Sequence, residues 1–501
     1  MGGVGSDPPE RNWSLVVLRT VSRRIAMMTA TLVLLVAAFA EATPSGARVG
    51  ALTPGKARSP IKHVVFIVKE NRSYDEYFGR FPGADGATSA KCWTPTGGQR
   101  TIDPLPSTPD PMHIDLNHAP ATFTVDVHNG AMDGFCHEGG AIDPVTGQDV
   151  ADSQMTQAQI PNYWAYASHY ALGDRMFAAW RGASFGNNVF ALAAQAGRYA
   201  NSTGQRTIYG LPRSPTQNSL YAWGCSDPAD TRVDMLALGG AISQTYPCFN
   251  YPSMPQTLDT YRVGWKYYAT EGKPSFAHAA VNAFSYLRCK GATTFPCAES
   301  AYWKAHVPPA RQFALDAVAG KLPAVSWVVP QQTEHPPLSA CLGENSTVDM
   351  VNAVMSGPQW ASTAIVVSWD EWGGFYDHVL PPTASGINAN VSYGFRVPLI
   401  VISPWVKAGA SPDGGSVDST FYSQPSFSRF VEWNWNLPTL GAADDPLNYG
   451  AGDPVPGDMT AFFDFSDPLN PPRPGTLKLN LRTCPTLSAA QRRYLLTQNP
   501  D

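Results

Sequence analysis

Two apolar runs, each ending in acidic and amide side chains, dominate the pattern of this chain. The run Val64–Val68 is followed closely by Glu70 and Asn71, and the run 363–368 is followed by Asp370 and Glu371. Short, continuous apolar runs rich in β-branched residues are typical of strands buried on both faces. Because ligands of open α/β sheets bind beyond the carboxyl ends of strands, the two ends predict one shared site.

The rest of the pattern predicts an α/β fold. Strand-like runs at 63–68, 324–329, 363–368 and 397–403 alternate with helix-like stretches, which include 186–196 and 309–319. Such alternation favours a mainly parallel sheet with helices on both faces. Two segments rich in turn residues and aromatics, 83–160 and 200–300, are predicted to be cap insertions in a core of residues 60–435. The proline-rich tail, 436–501, is predicted to wrap that core.

The N-terminus has the pattern of a secretion signal. Arg23 and Arg24 precede the apolar stretch Met27–Ala40, and Ala40-Glu41-Ala42 offers a small-x-small cleavage site. We therefore expect residues 1–42 to be a signal segment. The mature domain, 43–501, would be secreted or periplasmic, without a stable membrane anchor. An uncleaved anchor is the alternative, although the run is short for a bilayer span.

The cysteines agree with export. All eight lie after the signal segment, and an even number in an exported chain predicts disulfides. The local pairs Cys225–Cys248 and Cys289–Cys297 are the simplest pairings, but the sequence leaves the connectivity open. None of the cysteines forms a Cys-x-x-Cys zinc pattern.

Composition indicates a globular protein and gives no case for nucleic acid. The chain has 501 residues, 44% hydrophobic and 15% charged, which is ample for a sizeable core. Its net charge of −5 supplies no basic surface for a phosphate backbone.

The polar residues at the two strand ends suit a metal. Glu70, Asn71, Asp370 and Glu371 are all oxygen donors, which hard divalent cations prefer. Adjacent carboxylates also repel each other unless a cation or a proton shares their site. We therefore predict one divalent ion, of open identity. The alternative is a capped strand-to-helix turn and a solvated loop.

Three motifs resemble a known family. Glu70–Gly79, Asp370–His378 and Gly394–Pro398 are similar to motifs of the phosphoesterase family of bacterial phospholipases C and acid phosphatases, and the resemblance covers most of residues 60–435. It implies an alkaline-phosphatase-like fold. It also implies hydrolysis of phosphate esters by a hydroxyl nucleophile, usually beside a divalent metal.

Ser184 lies at the position of that nucleophile. It precedes a helix-like run, where free backbone N–H groups and the helix dipole favour phosphate and an alkoxide. The family's Pro-Asn pair reads here as Gly186-Asn187, which is a departure from its pattern. A capping serine without catalytic function is the alternative.

Histidines complete the expected site. The resemblance implies that His118 and His335 contact the phosphoryl group, and His378 is a further candidate; His278 aligns poorly. A histidine so placed stabilises charge or protonates the leaving oxygen. Where relatives carry an Asp-His pair, this chain has Ser423 and Gln424.

The sequence thus predicts a secreted, metal-assisted phosphoric ester hydrolase. We expect small phosphate esters to be preferred to phospholipid headgroup esters, since no basic amphipathic helix offers a lipid anchor. A dedicated phospholipase C is the first alternative. A non-catalytic extracellular binding protein on a phosphoesterase scaffold is the second.

Overall fold

A seven-stranded mixed sheet forms the centre of the computed structural model. The model describes residues 53–182, 184–197, 206–215, 223–237, 240–269, 280–290, 294–383, 393–440, 454–486 and 488–489. Its strands are β1 (His63–Lys69), β2 (Ala90–Trp93), β3 (Gln99–Ile102), β4 (Ala171–Gly173), β5 (Met176–Phe177), β6 (Arg206–Ile208), β7 (Val233–Ala237), β8 (Ile242–Thr245), β9 (Trp265–Tyr268), β10 (Val325–Val328), β11 (Thr363–Trp369), β12 (Leu399–Ile402), β13 (Ser416–Asp418) and β14 (Tyr422–Ser423).

Helices flank this sheet. They are α1 (Tyr74–Phe78), α2 (Pro120–Val127), α3 (Pro161–His169), α4 (Ser184–Ala193), α5 (Met254–Thr260), α6 (Ser285–Arg288), α7 (Ala301–His306), α8 (Arg311–Val318), α9 (Ala340–Ser356) and α10 (Pro425–Trp435). Short 3₁₀ turns lie at His128–Gly130, Phe135–His137, Ala280–Ala283, Trp360–Ser362 and Thr460–Phe462. The predicted α/β architecture is confirmed.

The strand order is β13-β4-β12-β11-β1-β10-β9. Strand β1 is parallel to both of its neighbours, β10 and β11, and β9 is parallel to β10. Strand β12 runs antiparallel to β11 and to β4. The sheet is therefore mainly parallel with one reversed strand.

The register of β1 and β11 places the predicted site. Lys69 pairs with Trp369 at the carboxyl ends of the two strands. The backbone pairing continues past the sheet, because the Asp370 amide donates to Lys69 O at 3.0 Å and the Arg72 amide donates to Glu371 O at 3.1 Å. Both strands are almost wholly buried, as expected of inner strands of a parallel sheet.

The structure corrects the strand predictions at the edges. Strand β9 lies within the stretch 200–300, which was predicted to be a cap, yet it forms one edge of the central sheet. The short strands β4 and β13 were not predicted, because three residues carry too little periodicity to recognise. The same stretch does contain a separate three-stranded sheet, β6-β7-β8, and the hairpin β2-β3 lies within 83–160.

Four disulfides join all eight cysteines. The two predicted local pairs, Cys225–Cys248 and Cys289–Cys297, are confirmed. The other two are Cys92–Cys136 and Cys341–Cys484. The last of these fastens the tail to α9, and the tail also bonds to the core where the Asp464 amide donates to Trp405 O at 2.9 Å.

The predicted signal segment, 1–42, lies outside the described residues. Within the part of the chain that the structure describes, no helix combines the length and apolarity needed to cross a bilayer.

Candidate active site

The four predicted metal ligands lie side by side at the carboxyl ends of β1 and β11. Glu70, Asn71, Asp370 and Glu371 are all buried. Asp370 Oδ1 accepts the backbone N–H of Asn71 at 3.2 Å and that of Glu371 at 2.8 Å. The structure thus brings the two strand ends together as predicted from the sequence.

Asn71 has a left-handed backbone conformation and, among the described residues, a side-chain oxygen without a hydrogen-bond partner. Its φ of 61° lies in the left-handed region, which non-glycine residues seldom adopt and which clusters at functional sites. Its Nδ2 donates to His118 Nε2 at 3.1 Å. Its Oδ1 is buried and has no hydrogen-bond partner among the described residues. Such an oxygen is costly to bury unless a ligand completes it.

Two glycines bring the β11 loop against Asn71. Gly373 and Gly374 have φ values of 63° and 81°. A β-carbon on Gly373 would lie 2.5 Å from Asn71 O, and one on Gly374 would lie 2.5 Å from Leu116 Cβ. Glycine at both positions therefore permits a backbone conformation and a close approach that a side chain would hinder.

Asn188 connects Ser184 to the strand ends. On α4, Asn188 lies one turn after Ser184, and its Nδ2 donates both to Ser184 O at 3.1 Å and to Asp370 Oδ2 at 3.1 Å. Sequence reasoning did not assign Asn188 a role. Its i, i+4 spacing from Ser184 within a helix was the available signal.

Ser184 is the first residue of α4 and is fully buried. Its Oγ has no hydrogen-bond partner among the described residues, so it makes none of the side-chain contacts of a capping serine. The neighbouring Gly186 packs tightly, since a β-carbon there would lie 3.2 Å from Trp180 Cδ1. The small residue thus fits the position where the family pattern has proline.

His118 is held in one orientation. Its Nδ1 lies 2.7 Å from Leu116 O, which can only accept, so Nδ1 carries the proton and Nε2 accepts from Asn71. Nε2 also lies 3.9 Å from Glu371 Oε1. This histidine therefore contacts residues of both strand ends.

His335 faces His118, with their ring centroids 5.7 Å apart. Its Nδ1 lies 2.7 Å from Pro336 O. Thr333 links it to the first strand end, because Thr333 Oγ1 accepts the His335 amide at 3.1 Å and donates to Glu70 Oε2 at 3.2 Å. The two histidines and the strand ends thus form one cluster.

His378 is placed in a different network. Its Nδ1 lies 2.6 Å from Asp75 Oδ2 and its Nε2 lies 3.3 Å from Asp85 Oδ1. Arg396 lies in the same network and contacts Asp75 and Asp377. These contacts favour a structural role, so the catalytic role assigned to His378 stays a prediction. The weaker candidate, His278, lies outside the described residues.

Gln424 lies where the family resemblance leads us to expect a histidine. Its Nε2 donates to Asp370 O at 2.9 Å, and its Oε1 accepts the amide of Ala179, which precedes Ser184 along the chain. The carboxamide thus braces the Asp370 loop against the segment that leads to Ser184. Being neutral, it neither donates a proton to a leaving group nor accepts one from a nucleophile.

A cavity of about 510 Å³ opens beside His118. Its walls are mostly apolar, with Ile114, Leu116, Pro120 and Leu211 among them, and Arg213 at its exposed side. Cavities of 300–1,000 Å³ hold ligands of drug size, so this one exceeds the needs of a bare phosphate group.

The strand-end residues fit a divalent cation. They offer carboxylate and amide oxygens, the donors that hard cations prefer, and Asn71 Oδ1 is buried without a partner among the described residues. The donor set does not select one metal.

Known phospholipases C from bacteria and a plant are similar to this chain in sequence. Phospholipase C A of Mycobacterium tuberculosis is 28% identical over 460 residues, which cover 83% of this chain and 79% of that protein. The hemolytic phospholipase C of Pseudomonas aeruginosa is 24% identical over 81% of this chain and 56% of its own length. Non-specific phospholipase C6 of Arabidopsis thaliana is 24% identical over 76% of this chain and 69% of its own.

Solved structures match more distantly. The lipoteichoic acid synthase LtaP of Listeria monocytogenes covers 81% of this chain and 76% of its own at 10% identity, with a TM-score of 0.33.

The family and these relatives identify a phosphate ester hydrolase. The chain belongs to the Phosphoesterase family, whose model matches residues 61–438. The family resemblance inferred from the three motifs is thereby confirmed.

Proposed function

We propose that this protein is a secreted, metal-assisted hydrolase that cleaves phospholipid headgroup esters through Ser184. The observation that carries the proposal is the double contact of Asp370. Its side chain accepts from Asn71 at the β1 end and from Asn188 on the Ser184 helix. One carboxylate therefore connects the candidate metal ligands to the candidate nucleophile.

Glu70, Asn71, Asp370 and Glu371 would hold one divalent cation. When bound, such an ion draws on the phosphoryl oxygens and favours the ionised form of a nearby hydroxyl. Asn188 fixes the first turn of α4 relative to Asp370, so it also fixes the Ser184 backbone.

Ser184 Oγ would form a bond to phosphorus while the bond from phosphorus to the leaving alcohol breaks. The Ser184 hydroxyl loses its proton as Oγ bonds to phosphorus, and the leaving alcohol oxygen gains one. An unprotonated nitrogen such as His118 Nε2 would first take up the serine proton and then supply it to the alcohol, and His335 lies beside it. Once protonated, either histidine could also bind the phosphoryl oxygens. Water then attacks phosphorus and releases Ser184. The sum is one ester bond and one water consumed, with an alcohol and a phosphate product formed.

The cavity supports a substrate with an apolar part. Its size and its apolar walls suit the glycerolipid portion of a phospholipid better than a bare phosphate. The relatives' names point the same way. These observations put phospholipids ahead of the small esters that the sequence alone favoured.

The disulfides support export, because four bridges persist only in an oxidising compartment. A free-thiol titration of denatured protein from its native location should find few thiols. Eight reactive thiols there would contradict secretion.

A substrate panel tests the proposed reaction. Phosphatidylcholine in mixed micelles and a soluble aryl phosphate would each be incubated with the mature protein, with and without chelator. We expect turnover of both, higher on the phospholipid, lost with chelator and restored by added metal. A preference for the aryl phosphate would restore the small-ester ordering, and no turnover of either would favour a non-catalytic scaffold.

A further inference from the structure

We propose that Glu334 is a positioning residue that holds three segments of the candidate site in place. The inference rests on the proposed function, because it concerns the same site. Glu334 would not touch the substrate. It would act through the residues that flank the candidate ligands and His335.

The Glu334 carboxylate is fully buried and multiply bonded. Oε1 accepts the indole N–H of Trp369. Oε2 accepts the hydroxyl of Tyr163 at 3.0 Å and lies 3.7 Å from Lys69 Nζ. The backbone oxygen of Glu334 accepts Arg72 Nη2 at 2.6 Å.

Apart from Tyr163, the partners of Glu334 are neighbours of site residues along the chain. Lys69 precedes Glu70, and Trp369 precedes Asp370. Arg72 follows Asn71, and Glu334 itself precedes His335. One residue thus binds the β1 end, the β11 end and the His335 segment to each other.

Gly343 of helix α9 packs directly against the Glu334 side chain. A β-carbon on Gly343 would lie 2.5 Å from Glu334 Oε2, so a larger residue would displace the carboxylate. Glycine inside a helix is unfavourable relative to alanine, so the close packing accounts for its presence here. Lys69 Nζ donates to Gly343 O at 2.8 Å, which adds α9 to the same cluster.

The charges of Glu334, Lys69 and Arg72 help to hold these segments in one arrangement. Burial raises the pKa of Glu334, and Lys69 and Arg72 oppose that shift. Removing one partner of a buried ion pair leaves the other charge uncompensated, which is strongly unfavourable. Small displacements of Glu70 or Asp370 should therefore follow from the loss of the Glu334 charge.

Glu344 provides a matched control. It is also fully buried and ion-paired, with Arg482 Nη1 at 2.9 Å. Its other carboxylate oxygen accepts the amides of Asn162 and Tyr163 at the start of α3. Neutralising Glu344 should destabilise the fold in a similar way. Its hydrogen bonds reach the partners of Glu334 only at the Tyr163 amide, so the strand ends should change little.

The test compares Glu334→Gln with Glu344→Gln in the full mature chain. Melting temperature, kcat, KM and the binding of Mn²⁺ alone would be measured for each. We expect Glu334→Gln to lower kcat per folded molecule or weaken Mn²⁺ binding by about 10- to 100-fold, the usual cost of losing an outer-shell partner. KM should change little, and Glu344→Gln should keep both kcat and Mn²⁺ affinity.

Trp369→Phe serves if Glu334→Gln does not fold, since it removes only the indole N–H. Trp369→Phe should also lower kcat or weaken Mn²⁺ binding, but by less than Glu334→Gln does. The inference is overturned if kcat and Mn²⁺ affinity per folded molecule stay at the wild-type level in both Glu334→Gln and Trp369→Phe, or if Glu344→Gln lowers them equally. An inert wild type would refute the proposed reaction, and Mn²⁺ binding would then decide the role of Glu334 by itself.

Discussion

Asp370 and Asp377 lie on the same loop after β11, and both are fully buried, but their carboxylates contact different kinds of partner. Arg396 Nε lies 2.9 and 3.1 Å from the two carboxylate oxygens of Asp377. The Asp370 carboxylate accepts the amides of Asn71 and Glu371 and the carboxamide of Asn188. Asp377 is therefore paired with a buried cation, whereas these hydrogen bonds of Asp370 connect it to the two strand ends and to the Ser184 helix.

This difference in partners bears on which of the two groups of carboxylates could bind a metal ion. Ligand atoms of Asp75, Asp377 and His378 lie within 4.8 Å of one another, which by distance alone permits an ion. A buried guanidinium at hydrogen-bond distance from both carboxylates would repel that ion. The position of Arg396 therefore argues against an ion at Asp75, Asp377 and His378, and the metal site at the strand ends stays a prediction.

Replacement of Asp370 should have the largest effect, a loss of turnover. Asp370→Asn keeps a side chain of the same shape but removes the charge, so we expect turnover to fall by about 10²- to 10³-fold or more. Metal content should fall with it, while the melting temperature changes little. Steady-state kinetics and elemental analysis of the purified variant measure both; full activity without bound metal would contradict the assignment.

Asp377→Asn should give the opposite result. It breaks a buried ion pair with Arg396, which typically costs about 3–5 kcal/mol, and the remaining contact of Arg396 with Asp75 at 3.2 Å favours the lower value. Denaturant unfolding would measure the loss. The activity of the molecules that remain folded should equal that of the wild type, and a loss of activity without a loss of stability would reverse the two assignments.

The smallest effect concerns His378 and pH. Burial lowers the pKa of His378, but its hydrogen bond and charge interaction with Asp75 outweigh this, so the folded-state pKa is raised. Its contribution to stability is then complete below the unfolded pKa of about 6.5 and is lost as pH rises through the folded value. The difference in melting temperature between the wild type and His378→Gln should shrink as pH increases. A difference that grows with pH would contradict the pairing with Asp75.

The sequence predicted the parts of the site that follow directly from strand ends. Glu70, Asn71, Asp370 and Glu371 were found because apolar runs stop abruptly at polar residues, and parallel pairing brings such ends together. The assignments of Ser184, His118 and His335 depended on family motifs. Their roles remain predictions, although Asn188 links the Ser184 helix to Asp370 and His118 contacts Asn71.

Other features of the site and the sheet could not be predicted from the pattern of apolar and polar residues. His378 belongs to the same motif as Asp370, and only tertiary contacts with Asp75 and Arg396 separate the two. Glu334 is one acidic residue beside a histidine until the fold brings Lys69 and Trp369 to its carboxylate. The edge strand β9 was missed because four residues in a turn-rich stretch resemble a loop.

The most direct test of the account is to trap the covalent intermediate. Wild-type protein and Ser184→Ala would be mixed with an aryl phosphate, quenched in acid within one turnover and analysed by peptide mass spectrometry. We expect a phosphoryl group on the peptide that contains Ser184 in the wild type, and neither a phosphorylated peptide nor appreciable turnover in the variant. A phosphoryl group on another residue, or undiminished turnover by Ser184→Ala, would contradict it.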